Sequence, residues 1–192
     1  MGAVSLRAEL IRKSVHLATI FIPITIWFMP RSFWKWPLIL GTLLVLAIEL
    51  LRFGHPGFGA LFRRLLGPYM RRHEKRELMG STYLTAACLM SAFVFPREIA
   101  VAAMCYLILG DGLAGLVGSG WGRIKVGFGK TLEGTLSGFA INLLAGLIVF
   151  RASEPALLGA ATASIVEYLP IPLDDNLAIP LVSGLILGLA GV

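Results

Sequence analysis

Charge is scarce in this chain. Only 15% of its 192 residues are Asp, Glu, Lys or Arg, 57% are hydrophobic, and the mean hydropathy is +0.82. That balance excludes an ordinary soluble domain and points to an integral membrane protein. Cysteine is nearly absent. Cys88 and Cys105 both fall in apolar runs, so neither a disulfide framework nor a cysteine metal site is expected. A small-residue cleavage pattern is missing as well. The basic start and first apolar run lead straight into more apolar sequence, so no signal peptide is expected. The length suits one compact bundle, a single domain over 1–192, with no separate soluble domain. The net charge is +6, but the basic residues lie between apolar runs. Topology and lipid headgroups account for them, and no nucleic-acid partner is expected.

Apolar runs that cross or nearly cross a bilayer occur at 11–29, 33–51, 78–95, 99–118, 132–150, 156–169 and 177–192. They predict an all-α, multi-pass bundle of about seven spans. With the N-terminus inside, 13 of the 17 basic residues fall on the inner side, as the positive-inside rule favours. The N-terminal segment, the 52–77 loop, the 110–135 strip and the 169–176 segment then share the cytoplasmic face. Within the 52–77 loop, Phe58, Leu61, Phe62, Leu65, Leu66, Tyr69 and Met70 follow helical spacing beside Arg63, Arg64, Arg71 and Arg72. They predict an amphipathic helix lying in the headgroup layer. Glu49 and Arg52, at a span end, read as a snorkelling pair.

The strip GDGLAGLVGSGWGRIKVGFGKTLEGT, from Gly110 to Thr135, holds nine glycines with Asp111, Arg123, Lys125, Lys130 and Glu133. A carboxylate at the end of an apolar run is a functional-site candidate, and glycines followed by lysine suit a backbone that wraps phosphate. Gly110, Gly112 and Gly115 match G-x-G-x-x-G, but a membrane helix precedes them where a Rossmann unit needs a strand. Gly129, Lys130 and Thr131 resemble the tail of a P-loop, yet Ile124 stands where its first glycine belongs. Both soluble motifs are therefore rejected and only the local phosphate chemistry is kept. Thr131 is also a candidate helix cap. Asp174, Asp175 and Asn176 form a second polar cluster, suited to a hard cation such as Mg²⁺ or to an Asx cap. Near the N-terminus Glu9, Arg12, Lys13 and His16 share one helix face. Gly134, Gly138, Asn142 and Gly146, and Gly184 with Gly188, form small faces for close helix packing and leave room for a homodimer.

Several of these segments together resemble the polyprenol kinase family, which includes dolichol kinase, phytol kinase and CTP-dependent diacylglycerol kinase. ELIRKSVH (9–16), RRHEKRELMGSTY (71–83), GDGLAGLVGSGWG (110–122) with GKTLEGT (129–135), and VEYLPIPLDDNLAIP (166–180) appear in the expected order. The resemblance implies a CTP-dependent, Mg²⁺-requiring kinase of a membrane lipid alcohol. By that likeness Asp111, Asp174 and Asp175 hold the metal, and Asp111, Lys130, His16 and Lys13 are catalytic. Gly110, Gly112, Gly115, Gly118, Gly129, Lys130, Thr131, Glu133 and Asn176 contact the nucleotide. It also implies a compact prokaryotic member in the plasma membrane, or the catalytic part of a longer chain. Two other functions fit the same residues: a membrane cytidylyltransferase making a CDP-lipid, and a non-enzymatic transporter or lipid-binding protein.

Overall fold

A computed structural model describes residues 6–71 and 73–192, with side chains from Leu10 onward. Glu9 and Arg72 therefore lie outside the described side chains. The first apolar run forms two helices, α1 (Leu6–Ala18) and α2 (Phe21–Phe28). The Thr19 hydroxyl donates to the His16 carbonyl, and Pro23 lacks the N–H that would continue the ladder back to Thr19. Pro30 then precedes α3 (Arg31–Gly54), the longest helix among the described residues.

The amphipathic segment is α4 (Pro56–Leu66), capped by His55, whose Nδ1 accepts from the Phe58 N–H at 3.2 Å. Leu61, Leu65 and Leu66 stay exposed on it, which suits a helix lying in a lipid interface. Met70 instead is buried, because the chain turns back there toward the bundle. Glu49 and Arg52 do not snorkel. Both are buried, and the Arg52 guanidinium donates to the two Glu49 oxygens at 2.9 and 2.6 Å. It also donates to the Glu74 and Glu77 carbonyls, both at 2.7 Å. Glu49 accepts from the Met79 N–H, and buried Glu74 accepts from the N–H groups of Arg71 and Gly80. These charges thus fasten the 71–80 loop to the end of α3.

After that loop come α5 (Gly80–Val94) and a rod running from Arg97 to Trp121. The rod consists of α6 (Arg97–Cys105), a π-helical segment (Tyr106–Asp111) and α7 (Gly112–Trp121). Its α6 part is the axis of the bundle, with Ile99 to Met104 buried and α2, α5, α8 and α10 packed around it. A short antiparallel hairpin, β1 (Lys125–Gly127) and β2 (Lys130–Thr131), departs from the all-α expectation. Its turn uses left-handed backbone at Gly127, Phe128 and Gly129, which glycine adopts at no steric cost. The chain finishes with α8 (Leu132–Phe150), α9 (Ser153–Tyr168) and α10 (Asp175–Leu189). Gly134 and Gly138 meet Ala114 of α7, and Gly146 meets Ala156 of α9, so the small face of α8 is a packing surface inside the bundle.

Among the described residues, four helical stretches are long and apolar enough to cross a membrane: Leu10–Phe28, Arg31–Gly54, Arg97–Trp121 and Leu132–Phe150. The other three expected spans form shorter helices, with 15, 16 and 15 residues in α5, α9 and α10. At 1.5 Å per residue these cover about 22–24 Å of a core roughly 30 Å thick. The count of seven spans therefore rests on three helices that fall short of that length.

Candidate functional site

The π-helical segment positions the central carboxylate. One extra residue per turn there widens the helix, a device often found at functional sites, and Asp111 is its last residue. Lys13 of α1 reaches across and donates to Asp111 Oδ2 at 2.7 Å and to the Asp111 carbonyl at 2.9 Å. One turn further along α1, His16 Nε2 donates to the Leu107 carbonyl at 3.2 Å and lies 3.9 Å from Asp111 Oδ2. The shared face of α1 thus delivers both residues to one carboxylate 98 positions away from Lys13. Gly115 makes the crossing feasible, since a side chain there would collide with Lys13.

A second cluster faces the first. Lys130 Nζ donates to Glu167 Oε1 of α9 at 3.2 Å and lies 3.6 Å from Asp175 Oδ2 of α10. Burial by itself would lower the Lys130 pKa, but Glu167, Asp175 and Asp111 outweigh it and hold the ammonium above the ordinary lysine value. Tyr168 pins the hairpin by donating to the Val126 carbonyl at 2.7 Å, and its ring meets Phe128 edge-on. The end of α9 therefore fixes both the turn and its lysine.

Two cavities meet between these clusters. One is polar, about 320 Å³, and its walls include Gly115, Gly118, Gly129, Lys130, Thr131, Glu167 and Asp175. The other is largely apolar, about 490 Å³, between α1, the 66–71 segment and the start of α5. Lys13, Arg71 and Asp111 line both. His16 and Asn176 face the apolar cavity.

Not every residue expected at the site reaches it. Gly110 and Gly112 pack against Asn142 and Leu17 and line neither cavity. Glu133 lines neither cavity; its carboxylate accepts from the Ile124 N–H at 3.3 Å and steadies the entry to the hairpin. Thr131 is at once a wall residue and the cap of α8, accepting from the Gly134 N–H. Asp174 caps α10, its Oδ1 taken by the backbone N–H and side-chain amide of Asn176 at 2.9 and 2.6 Å. Two wall residues are not among those expected at the site: Arg71, which the sequence offers only as a basic residue of the amphipathic 52–77 stretch, and Glu167, which lies within the 166–180 segment. A glutamate near the end of an apolar run was the available signal for Glu167; Arg71 had none amid the surrounding basic residues.

Among the described residues no three His, Cys, Asp or Glu side chains are grouped so as to hold a metal unaided. Asp111, Glu167 and Asp175 nevertheless line one cavity. Magnesium is ordinarily held by one or two carboxylates together with substrate phosphates and water, so this donor set fits an ion that arrives with a nucleotide.

No family profile and no solved structure matches the chain. It is similar to CTP-dependent diacylglycerol kinase 1 of Schizosaccharomyces pombe, with 30% identity over 158 residues, 72% of this chain and 72% of that protein. It is also similar to CTP-dependent diacylglycerol kinase 1 of Saccharomyces cerevisiae, at 23% identity over 92% of this chain and 71% of the relative. A third relative is probable phytol kinase 1, chloroplastic, of Glycine max, at 30% identity over 61% of this chain and 46% of that protein.

Proposed function

The chain belongs to the polyprenol and lipid kinase family, and from that premise we propose that it transfers the γ-phosphoryl of CTP to the hydroxyl of a membrane lipid alcohol at the cytoplasmic face. The observation that carries this reading is the meeting of a polar and an apolar cavity at Lys13, Arg71 and Asp111. A phosphoryl transfer between a soluble donor and a lipid acceptor needs two compartments that share one wall.

The polar cavity takes the triphosphate. Gly115, Gly118 and Gly129 leave its walls without bulk, and Lys130 supplies a fixed positive charge. Asp111 and Asp175, with Glu167 beside them, would hold Mg²⁺, whose chemistry is to neutralise charge on the phosphate oxygens. Lys13 and Arg71, at the shared wall, face the place where charge builds up during transfer, and fixed cations there stabilise it. The lipid hydroxyl enters from the apolar cavity. His16 carries a proton on Nε2 for its bond to Leu107, so its neutral ring offers Nδ1 as the acceptor for the hydroxyl proton. Positioning and charge neutralisation do most of the work in such transfers.

Topology supports a one-sided site. The pairs Lys13–Asp111, Lys130–Glu167 and Lys130–Asp175 bring together the ends of α1, α7, α8, α9 and α10. With seven crossings, α5, α9 and α10 being the short ones, these residues would lie toward the side that carries 13 of 17 basic residues.

The test is an assay of protein in nanodiscs with CTP labelled at the γ-phosphate, Mg²⁺ and a panel of lipid alcohols. Label in the lipid product is the expected result. Release of pyrophosphate with a cytidine-bearing lipid would assign a cytidylyltransferase instead.

A further inference from the structure

A second apolar cavity, also about 490 Å³, lies along α3 between α2 and α5. Its walls include Phe33, Trp34, Leu38, Gly41, Leu44 and Val45. It abuts the apolar cavity of the candidate site at two places. Thr85 of α5 lines both, and at the break between α1 and α2 Thr19 lines the first and Phe21 the second. From Val45 back to Phe33 the groove follows α3 for about 18 Å at 1.5 Å per residue. It therefore starts beside the cavity that borders Asp111 and runs toward the opposite end of α3.

We infer that this groove holds the far part of the substrate's own hydrocarbon chain, and that Gly41 sets the chain length the enzyme accepts. The inference rests on the lipid-kinase reading. A chain whose hydroxyl sits at Asp111 fills the first cavity and has this groove as its continuation past Thr85. The groove is open along one side, where Phe21, Phe33 and Leu44 are exposed, and its course along one helix suits one linear chain. A second acyl chain, as in a diacylglycerol, is left to the surrounding lipid. Gly41 is the open point in the wall, because a side-chain carbon added there meets nothing within 4 Å. A larger residue at 41 projects into unoccupied space rather than into the protein. It also removes the helix-weakening effect of an interior glycine.

The experiment uses the full-length protein in nanodiscs with geraniol, farnesol, geranylgeraniol and a diacylglycerol as acceptors. The series Gly41→Ala, Gly41→Leu and Gly41→Phe blocks the groove in steps. The expected result is a graded fall in the ratio of kcat/KM for geranylgeraniol to that for geraniol. The fall should reach roughly tenfold or more in Gly41→Phe, the scale of a misfit in an apolar pocket, and be carried by KM. A ratio that stays constant across the series overturns the inference, as does a parallel loss for all acceptors. A second readout needs no turnover. A long prenyl alcohol bearing a terminal diazirine should photolabel α3 within residues 33–45, and unlabelled geranylgeraniol and Gly41→Phe should each suppress that label. Label spread evenly over the lipid-facing helices overturns the groove assignment. If no alcohol accepts the γ-phosphoryl, the kinase reading fails, and the labelling pattern alone decides the groove.

Discussion

Replacing Gly115 by alanine adds one carbon at the most crowded point of the site. That carbon would lie 2.5 Å from Lys13 Cε and 2.8 Å from Lys13 Nζ. Carbon atoms pack at about 3.5–4.0 Å, so the lysine tip must retreat by about 1 Å. The colliding atoms belong to the free end of a flexible side chain, so the fold survives the change. The two bonds from Lys13 to Asp111, at 2.7 and 2.9 Å, stretch beyond hydrogen-bonding range if the retreat follows their axis. A displacement of about 1 Å at a reacting centre lowers turnover by around 10²-fold. Gly110→Ala is the contrasting variant, because its new carbon overlaps Asn142, a buried residue of α8. It should fail at folding rather than at chemistry. The assay measures kcat with γ-labelled CTP beside thermal unfolding of each variant. The reasoning is refuted if Gly115→Ala keeps wild-type kcat, or if it unfolds as readily as Gly110→Ala.

Three further outcomes are expected. Asp111→Asn keeps the shape and a hydrogen-bond acceptor for Lys13, so expression and unfolding temperature should stay near wild type while phosphoryl transfer is abolished; near-normal turnover would remove Asp111 from the mechanism. Lys130 has a raised pKa, so its charge persists through the ordinary lysine value of about 10.4, and wild-type kcat/KM for CTP should show no lysine-linked fall below that pH. Lys130→His should instead give activity that rises as pH falls through about 6.5, and a flat profile in that variant would contradict the role. Arg52→Ala leaves Glu49 buried without its cation and should cost about 3–5 kcal/mol, read as a lower unfolding temperature with faster proteolysis between residues 71 and 79; an unchanged unfolding temperature would show that the pair is not holding the loop.

Much of the site could be read from residue types and local spacing. Asp111 stands out because a carboxylate ending an apolar run is rare, and Lys13 with His16 because i, i+3 spacing puts them on one face. What local spacing could not decide was which neighbour a polar residue would choose. Asp174 and Asp175 are adjacent and chemically alike, yet one caps α10 and the other faces Lys130. Glu133 follows a phosphate-like turn but bonds to the hairpin backbone. Arg71 enters the site only because the buried Glu49–Arg52–Glu74 network folds its loop inward, and that network joins positions up to 30 apart. The fold class was legible from hydropathy, whereas the short hairpin was not. Two strands of three and two residues carry no periodicity to detect.

The pairing of Lys13 with Asp111 also bears on how the chain is made. Its partners are separated by 98 positions, so the first helix enters the bilayer long before the carboxylate that neutralises it has been synthesised. That helix is also the least hydrophobic of the four candidate spans, at 1.3 against 1.9 for the Arg97–Trp121 rod. An ammonium without a partner is unfavourable by about 2.5–3.5 kcal/mol at the centre of a span on the insertion scale, and by less at Lys13, near the start of its span at Leu10. The N-terminal helix therefore gains a secure seat only when the central rod arrives and docks against it. Biogenesis and catalysis thus draw on the same pair, so a substitution that removes the hydrogen bond as well as the charge, such as Asp111→Ala, bears on assembly before it bears on chemistry, whereas Asp111→Asn keeps an acceptor for Lys13.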